Sequence, residues 1–515
     1  MTTPSPEDVA TIRASQLFDA DWYLGQHPDV RALGLDAAEH YLWFGARLNR
    51  DPSRGFDTAG YIAINPDLDA GKLNPLLHYL KWGKAERRAV FPSASGRDIM
   101  VPARPRATAP RHRLPRIIYE SHNFKLQGAP NSLFEIAAGV HSRRRFHPTL
   151  VSSAMGPIAH LAERHGIDCV THSIPASRIK TRQQGEDLTR RLADFYTRMQ
   201  SDLIHVNTLQ NFHCVKAARL AGLPCIWNIR ESEPPDSYYD DLTPEVRDFA
   251  YSAFSDANAV VFVADATRRL WSARLDGVVE SQTISNGIDI DRMMQSVYGT
   301  SRPAARASLG LRDDDIVLLS VGTVTERKGQ LELVDAVRRL DQAARQRLVL
   351  AIVGFNDSAY SGQVVGALGD LEADGLRLIA VKESISEDDR TRVAELYLAA
   401  DLFVLTSRIE SYPRVTLEAM HFGLPIISTP CFGVCEQLVD GQSALFYDFG
   451  DSEMLSRLIR LLCDDAQQRL SLATAARDRL DQLNSYDSML DGYEGLYARV
   501  MAAQGQRAAS GTAVR

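Results

Sequence analysis

Glu410 and Glu418 stand eight positions apart, with Pro413 between them and the apolar, helix-forming run Leu417-Glu-Ala-Met420 around the second. Eight residues is a little over two helical turns, so both can face one side of a helix that starts between them. An ionised carboxylate only accepts hydrogen bonds, which suits it to vicinal hydroxyls. A second chemical segment is Gly322-Thr-Val-Thr-Glu-Arg-Lys-Gly329, between the apolar stretch Ile316 to Val321 and a helix expected from about Gln330. Backbone N–H groups of a glycine-bearing turn and a helix N-terminus favour anions, and Lys328 adds a point charge beside Arg327. Such a turn suits a diphosphate.

Further candidates lie in the first half of the body. Glu120-Ser-His-Asn-Phe-Lys-Leu-Gln-Gly128 follows an apolar stretch, and His122 and Asn123 sit in that exposed loop. Gly128 permits close backbone approach, and Ser132-x-x-Glu135 reads as a capping box that starts the next helix. Asn207 follows the stretch Leu203 to Val206. Arg230 and Glu231 follow Cys225 to Asn228. Arg230 there suits a phosphate or carboxylate; the alternative is an ion pair with Glu231 at a strand end.

These residues need elements to place them. Segments 116–119, 149–152, 203–206, 225–228 and 259–263 read as strands, and so do 316–321, 347–353, 376–379, 401–406 and 425–428. Helical stretches alternate with them, the pattern of parallel sheets covered on both faces. Two successive series predict two Rossmann-like domains, over 116–288 and 289–482, facing a cleft. A helix is expected over 483–503, with Met489, Tyr493, Leu496 and Tyr497 at helical spacing. A disordered tail is expected over 504–515.

Upstream, residues 1–92 hold an internal duplication. Phe18-Asp19, Tyr23, Pro28-Asp29, His40-Tyr-Leu42, Gly45 and Arg50 recur 38 residues later as Phe56-Asp57, Tyr61, Pro66-Asp67, His78-Tyr-Leu80, Gly83 and Arg88. Each copy reads as a helix, a Pro-Asp turn and a second helix, forming a small all-α module. Each histidine and tyrosine is expected to pack or hydrogen-bond within its own copy. Residues 93–115 form a Pro- and Arg-rich linker that cannot bury apolar area. Its charge either attracts anionic lipid, at about 1 kcal/mol per Arg, or is simply solvated.

The 515 residues exceed one core, and a net charge of −7 argues against general nucleic-acid binding. No run approaches the roughly 20 apolar residues of a membrane span. The first residues lack the basic and apolar regions of a signal peptide, so a cytoplasmic location is expected. Among six cysteines only Cys431 and Cys435 are close, and no partner pair stands at zinc-site spacing. They read as reduced thiols. Asp289-Ile-Asp291 and Asp67-Leu-Asp69 are discounted as metal sites, and no metal or cofactor is expected. No Gly-x-Gly-x-x-Gly follows the first strand, which argues against a dehydrogenase.

The string Glu410-Ser-Tyr-Pro-Arg-Val-Thr-Leu-Glu418-Ala-Met-His-Phe-Gly-Leu-Pro425 resembles the E-x7-E signature of retaining family-4 glycosyltransferases of GT-B fold. The helical duplication is similar to repeats that precede the catalytic part of some bacterial polysaccharide glycosyltransferases. The resemblance implies that Glu410 contacts the transferred sugar and Glu418 the ribose, and that the helix over 483–503 crosses back to the first domain. It puts Lys328 at the family's phosphate-binding lysine, with Gly322, Thr323, Arg327, Tyr412, Arg414, Val415, Gly433, Glu436 and Gly128 around the nucleotide sugar. His122, Asn123, Asn207 and Glu231 fall on the acceptor side. Three positions depart from the pattern. Thr323 replaces an arginine, Phe432 a glycine, and Arg230 a histidine near the reaction centre. The implied function is metal-independent, retaining transfer of a hexose from a UDP- or GDP-linked sugar to a glycan or lipid-linked acceptor in bacterial surface polysaccharide synthesis. Peripheral contact with the inner membrane or a polysaccharide assembly complex is compatible with it. The alternatives are a GT-B epimerase or hydrolase, or an inactive GT-B scaffold.

Overall fold

The computed structural model describes residues 5–90 except 28–29, 32–35, 47–49, 59–60, 63–64, 66–72, 87 and 89, then residues 113–172, 179–383 and 387–509. Both Pro-Asp turns and nearly all of the expected linker lie outside the described residues.

Two parallel sheets form the body. The first holds β1 (Arg116–Ser121), β2 (His147–Ser152), β3 (Asp168–Thr171), β4 (Leu203–Asn207), β5 (Cys225–Ile229), β6 (Ala259–Phe262) and β7 (Ser281–Thr283), in the order β3-β2-β1-β4-β5-β6-β7. The second holds β8 (Ile316–Val321), β9 (Leu348–Phe355), β10 (Arg377–Lys382), β11 (Leu402–Leu405), β12 (Ile426–Ser428) and β13 (Leu445–Phe446), in the order β10-β9-β8-β11-β12-β13. Apolar side chains fill both faces of each sheet, which is why β9 is buried along its whole length. Strand order reverses between β1 and β4, and again between β8 and β11. Crevices for ligands open at the carboxyl ends of strands at such reversals. The two Rossmann-like domains thus face each other as the GT-B plan requires. Strands β3, β7 and β13 were not expected from sequence. Each is a short edge strand paired on one side, and Ser281-Gln-Thr283 carries no apolar run.

In the N-terminal region, Tyr23 Oη lies 2.8 Å from His40 Nδ1 and Tyr61 Oη lies 2.9 Å from His78 Nδ1. The same bond therefore recurs in both copies. A Cβ on Gly45 or Gly83 would strike the hydroxyl of that tyrosine, so the histidine, the tyrosine and the glycine of the duplicated motif form one packing unit. The expected second helix is only partly α-helical. After Ala37–His40 and Pro75–His78 the chain widens into π-helical turns at Tyr41–Gly45 and Tyr79–Gly83.

The last helix, Tyr486–Ala509, leaves the second domain and packs on the first, burying Met489, Leu490, Tyr493, Leu496, Tyr497 and Val500 among Ile117, Tyr119 and Leu203. Asn228 Nδ2 donates to Tyr493 Oη at 2.7 Å, and Tyr497 Oη lies 2.8 Å from His205 Nδ1. The chain crosses between domains twice, at the Asn286-Gly287 turn and before Tyr486. The crossings touch: a Cβ on Gly287 would collide with the backbone of Ser485 and Tyr486. The expected disordered tail from 504 is corrected, because the helix continues to Ala509. Residues 510–515 lie outside the described residues.

Burial pushes His205 and His213 down to about 3. The unfolded chain binds protons there from about pH 6.5 downward. The stability these neutral histidines contribute is therefore complete above that pH and lost as pH falls, by about 1.4 kcal/mol per pH unit for each. Thermal melts between pH 7 and 4.5 should show this slope, and His213→Asn should flatten it. An unchanged slope in that variant would count against the assignment.

Candidate active site

Two cavities open where the carboxyl ends of the sheets meet. One, of about 770 Å³, is bordered by Glu135, Asp289, Arg292, Glu383 and Glu418. The other, of about 600 Å³, is bordered by His122, Arg230, Glu231, Lys328, Glu410 and Tyr412. Gln127, Gly128, Gly322, Thr323, Arg414 and Val415 line both, so the cavities form one continuous cleft.

Local structure explains how Lys328 reaches the cleft. After β8 the chain makes a 3-10 turn at Glu326–Lys328 and closes on Gly329 with φ of +67°. A side chain there would strike the carbonyl of Thr406, so glycine lets this turn press on the end of β11. Lys328 Nζ donates to Glu410 Oε1, which also accepts from Ser407 Oγ at 2.7 Å. Burial would raise the Glu410 carboxyl, but Lys328 and then Arg327 outweigh it and hold it below its ordinary value. The Glu410 carboxyl is therefore charged at neutral pH. Arg327 Nη1 donates to the Ile409 carbonyl at 2.6 Å and stands 3.8 Å from Glu410.

The helix Arg414–His421 begins between the two glutamates. It carries Glu418 into the larger cavity, while Glu410 stays in the preceding loop at the smaller one. Glu418 Oε2 accepts from Tyr397 Oη at 2.9 Å. Burial pushes its carboxyl above the ordinary value, with Arg414 opposing. Thr323 Oγ1 and Gln127 Nε2 both donate to Glu383 Oε1 at 3.0 Å, which ties the loop after β1 to the loops after β8 and β10.

Three expectations change. Ser132 and Glu135 do not form a capping box. Their helix starts four residues earlier, at Gly128, and Ser132 Oγ donates to the Gly128 carbonyl within it. Glu135 instead reaches across the cleft and meets Arg414 through both oxygens, at 2.8 and 2.7 Å. Arg230 does not pair with Glu231. Its Nε donates to Asn207 Oδ1 at 2.8 Å and its Nη1 to Asn286 Oδ1 at 2.9 Å. Glu231 accepts instead from the backbone N–H groups of Leu209, at 3.2 and 3.1 Å, and of Arg230, at 3.0 Å. Burial raises Glu231 to about 7. Lastly, Gly433 and Glu436 do not border either cavity. Glu436 caps the first-domain helix Asp265–Leu275 through the N–H groups of Asp265 and Ala266, at 3.1 and 2.6 Å. A Cβ on Gly433 would overlap the carbonyl of Ser411 in its own domain and crowd Ala264 of the first, so glycine lets the loop pack there.

On the acceptor side, His122 borders the smaller cavity, and burial, then Lys125, pushes it down to about 4. It is neutral at pH 7. Asn123 turns inward to accept from the N–H of Lys125 at 2.9 Å. Asn207 is buried behind the wall, where its Nδ2 donates to the Ala129 carbonyl at 3.0 Å. Gly128 faces open cleft, with nothing within 4 Å of a built Cβ. Thr208 has φ of +73°, unfavourable for a β-branched residue. Bonds from Trp227 Nε1 to its carbonyl and from its own N–H to Asn228 O, both 2.8 Å, hold it there. Sequence carried no signal for Thr208, Gln127 or Glu383. Deeper in the first domain, Glu120 bonds His172 and Tyr196, both at 2.9 Å, with Cys214 alongside. All six cysteines are free thiols. Among the described residues no helix is long and apolar enough to cross a membrane.

Residues 301–479 match the family described as Glycosyl transferases group 1. A D-inositol 3-phosphate glycosyltransferase of Geodermatophilus obscurus is 32% identical over 237 residues, 44% of this chain and 50% of that protein. The lipopolysaccharide core biosynthesis glycosyltransferase LpsE of Rhizobium meliloti is 31% identical over 217 residues, 40% of this chain and 57% of that protein. The chain thus spans about half the length of the curated relatives it matches. In fold, it resembles Anabaena Alr3699/HepE solved in complex with UDP and glucose, with a TM-score of 0.61 and 20% identity over 74% of this chain and 99% of that one. WaaG, a glycosyltransferase involved in lipopolysaccharide biosynthesis, superposes with a TM-score of 0.57 at 16% identity, covering 73% and 98%. Residues 301–479 are thus similar to the Glycosyl transferases group 1 family, and they lie within a chain whose two-sheet architecture is that of GT-B structures.

Proposed function

We propose that the protein is a metal-independent, retaining glycosyltransferase that moves a hexose from a UDP- or GDP-linked sugar to a glycan or lipid-linked glycan in bacterial surface polysaccharide synthesis. One observation carries this reading: the bonded Lys328–Glu410 pair and Glu418 border one cleft at the reversal point of the second sheet. Lys328, Arg327 and the N-terminus of helix Arg414–His421 supply positive charge where a departing diphosphate accumulates negative charge. In this reading Glu418, at the larger cavity, meets the ribose hydroxyls, and Glu410, at the smaller one, meets the transferred sugar; their position on one cleft supports it. In the reaction the acceptor oxygen bonds to the anomeric carbon as its bond to the phosphate oxygen breaks, and the leaving phosphate takes the acceptor proton. The kinship with a lipopolysaccharide core enzyme supports the pathway class, and a structural neighbour solved with UDP and glucose supports the donor class.

The test is a thermal-shift screen of the full chain against UDP, GDP, ADP and CDP. A nucleotide at about 100 times its Kd should add about 2.7 kcal/mol of stability. No response to any of the four would overturn the reading. Glu418→Ala should then weaken binding of the responding nucleotide by about 1.5–3 kcal/mol, the scale of a charge-assisted hydrogen bond. Glu410→Ala should spare free nucleotide and lower turnover. Wild-type binding by both variants would remove the assignment of the pair. Thr323, whose hydroxyl is engaged by Glu383, favours a second reading as a scaffold that binds nucleotide sugars without turning them over. Nucleotide binding with no turnover on any acceptor would select it.

A further inference from the structure

Four cations border the smaller cavity: Arg230, Arg327, Lys328 and Arg414. Lys328 and Arg327 are matched by Glu410, and Arg414 by Glu135. Among the described residues, Arg230 alone of the four has no carboxylate oxygen within 4.0 Å of its side-chain nitrogens. Its neighbour Glu231 cannot serve, because backbone N–H groups of Leu209 and Arg230 occupy that carboxylate.

The guanidinium is also held in a set orientation. Asn207 is pinned by its bond to the Ala129 carbonyl and Asn286 by its bond to the Tyr412 carbonyl, at 3.0 and 2.9 Å. Both amide oxygens are thereby turned toward Arg230, one accepting from Nε and one from Nη1. A guanidinium has five N–H donors. Two are used, and Nη2 has no partner although it is shielded from water. Three donors therefore remain, one on Nη1 and two on Nη2, the kind of cationic donor group that pairs with a carboxylate or phosphate. Buried charges and donors in folded proteins are otherwise paired.

We infer that a substrate of this cleft carries an oxyanion and that Arg230 is its receptor, as a specificity residue rather than a member of the diphosphate site. The inference rests on the proposed glycosyltransferase reading. The oxyanion is either a carboxylate on the donor sugar or a phosphate on the acceptor.

Binding to the full-length protein separates these sources. In the donor arm, UDP-glucuronate is compared with UDP-glucose, or GDP-mannuronate with GDP-mannose if GDP is the nucleotide that binds. In the acceptor arm, with that nucleotide saturating, glucose 1-phosphate is compared with methyl α-glucoside. The expected result is a preference of about tenfold or more for the anionic probe in one arm, the scale of a charge-assisted hydrogen bond. The preference should vanish in Arg230→Gln and survive in part in Arg230→Lys. Equal binding of charged and neutral probes in both arms would overturn the inference, and so would a preference that persists in Arg230→Gln. If Arg230→Gln weakens nucleotide and neutral nucleotide sugar equally and leaves the ratio unchanged, Arg230 belongs to the diphosphate site and the inference also falls. A wild-type protein that binds no nucleoside diphosphate would instead defeat the parent reading, and this inference with it.

Discussion

Ending the chain at Asn484 should leave a protein that is not recovered as a cooperatively folded molecule. The truncation strips Met489, Leu490, Tyr493, Leu496, Tyr497 and Val500 from the core of the first domain. Each such side chain is worth about 1.5–3 kcal/mol when fully buried. Their sum rivals the whole stability of a typical domain, about 5–15 kcal/mol. Polar losses add to this, because Asn228 and His205 would lose the tyrosine hydroxyls that satisfy them inside the core. Soluble yield, dye binding to exposed apolar surface and thermal melting report the outcome. Ending the chain after Gln504 keeps every one of these contacts and should shift the melting temperature little. A truncation at Asn484 that melts like the full chain would remove the crossing helix from the account of stability.

Arg414→Ala should lower stability by about 3–5 kcal/mol, the range for stripping one partner from a buried ion pair. Arg414 and Glu135 are 12% and 5% exposed at their side chains, so solvent cannot take over the missing charge. Arg414 also opposes the upward push that burial exerts on Glu418. Without it the Glu418 carboxyl should rise further, so nucleotide binding should be lost at a higher pH in Arg414→Ala than in the unaltered protein as pH falls. The sign is fixed by which form binds: hydroxyls are met by the carboxylate, and a raised value moves its loss to higher pH. The double variant Arg414→Met/Glu135→Leu should be more stable than Arg414→Ala alone, since Glu135 is then no longer left as an uncompensated buried charge. Chemical denaturation of the three proteins, and nucleotide titrations of the unaltered protein and Arg414→Ala over a series of falling pH values, check both parts. Additive losses in the double variant would show that the pair is not coupled.

The chain's amino-acid order determined by itself what depends on neighbours along it. Ten of the strands were legible because buried parallel strands are continuous apolar runs. The Lys328 turn and the two glutamates were legible because glycine, proline and charge at a strand-to-helix junction have local consequences. The recurring histidine, tyrosine and glycine of the N-terminal copies were visible as a repeat, although the π-helical turns they make were not. Tertiary structure alone decided the rest. Glu135 reads locally as a helix cap, yet Arg414, 279 positions away, offers a charge and a fork that a backbone N–H cannot match. Glu436, expected beside the nucleotide sugar, accepts from the N-terminus of a helix in the other domain, a partner 171 positions away. Arg230 has an acid as its next residue, but successive side chains at a strand end point apart. Backbone donors claimed that acid, and two distant asparagines fixed the guanidinium. Local spacing sets which conformations are open to a segment. Which partner a charged side chain takes depends on the surfaces that two sheets bring together.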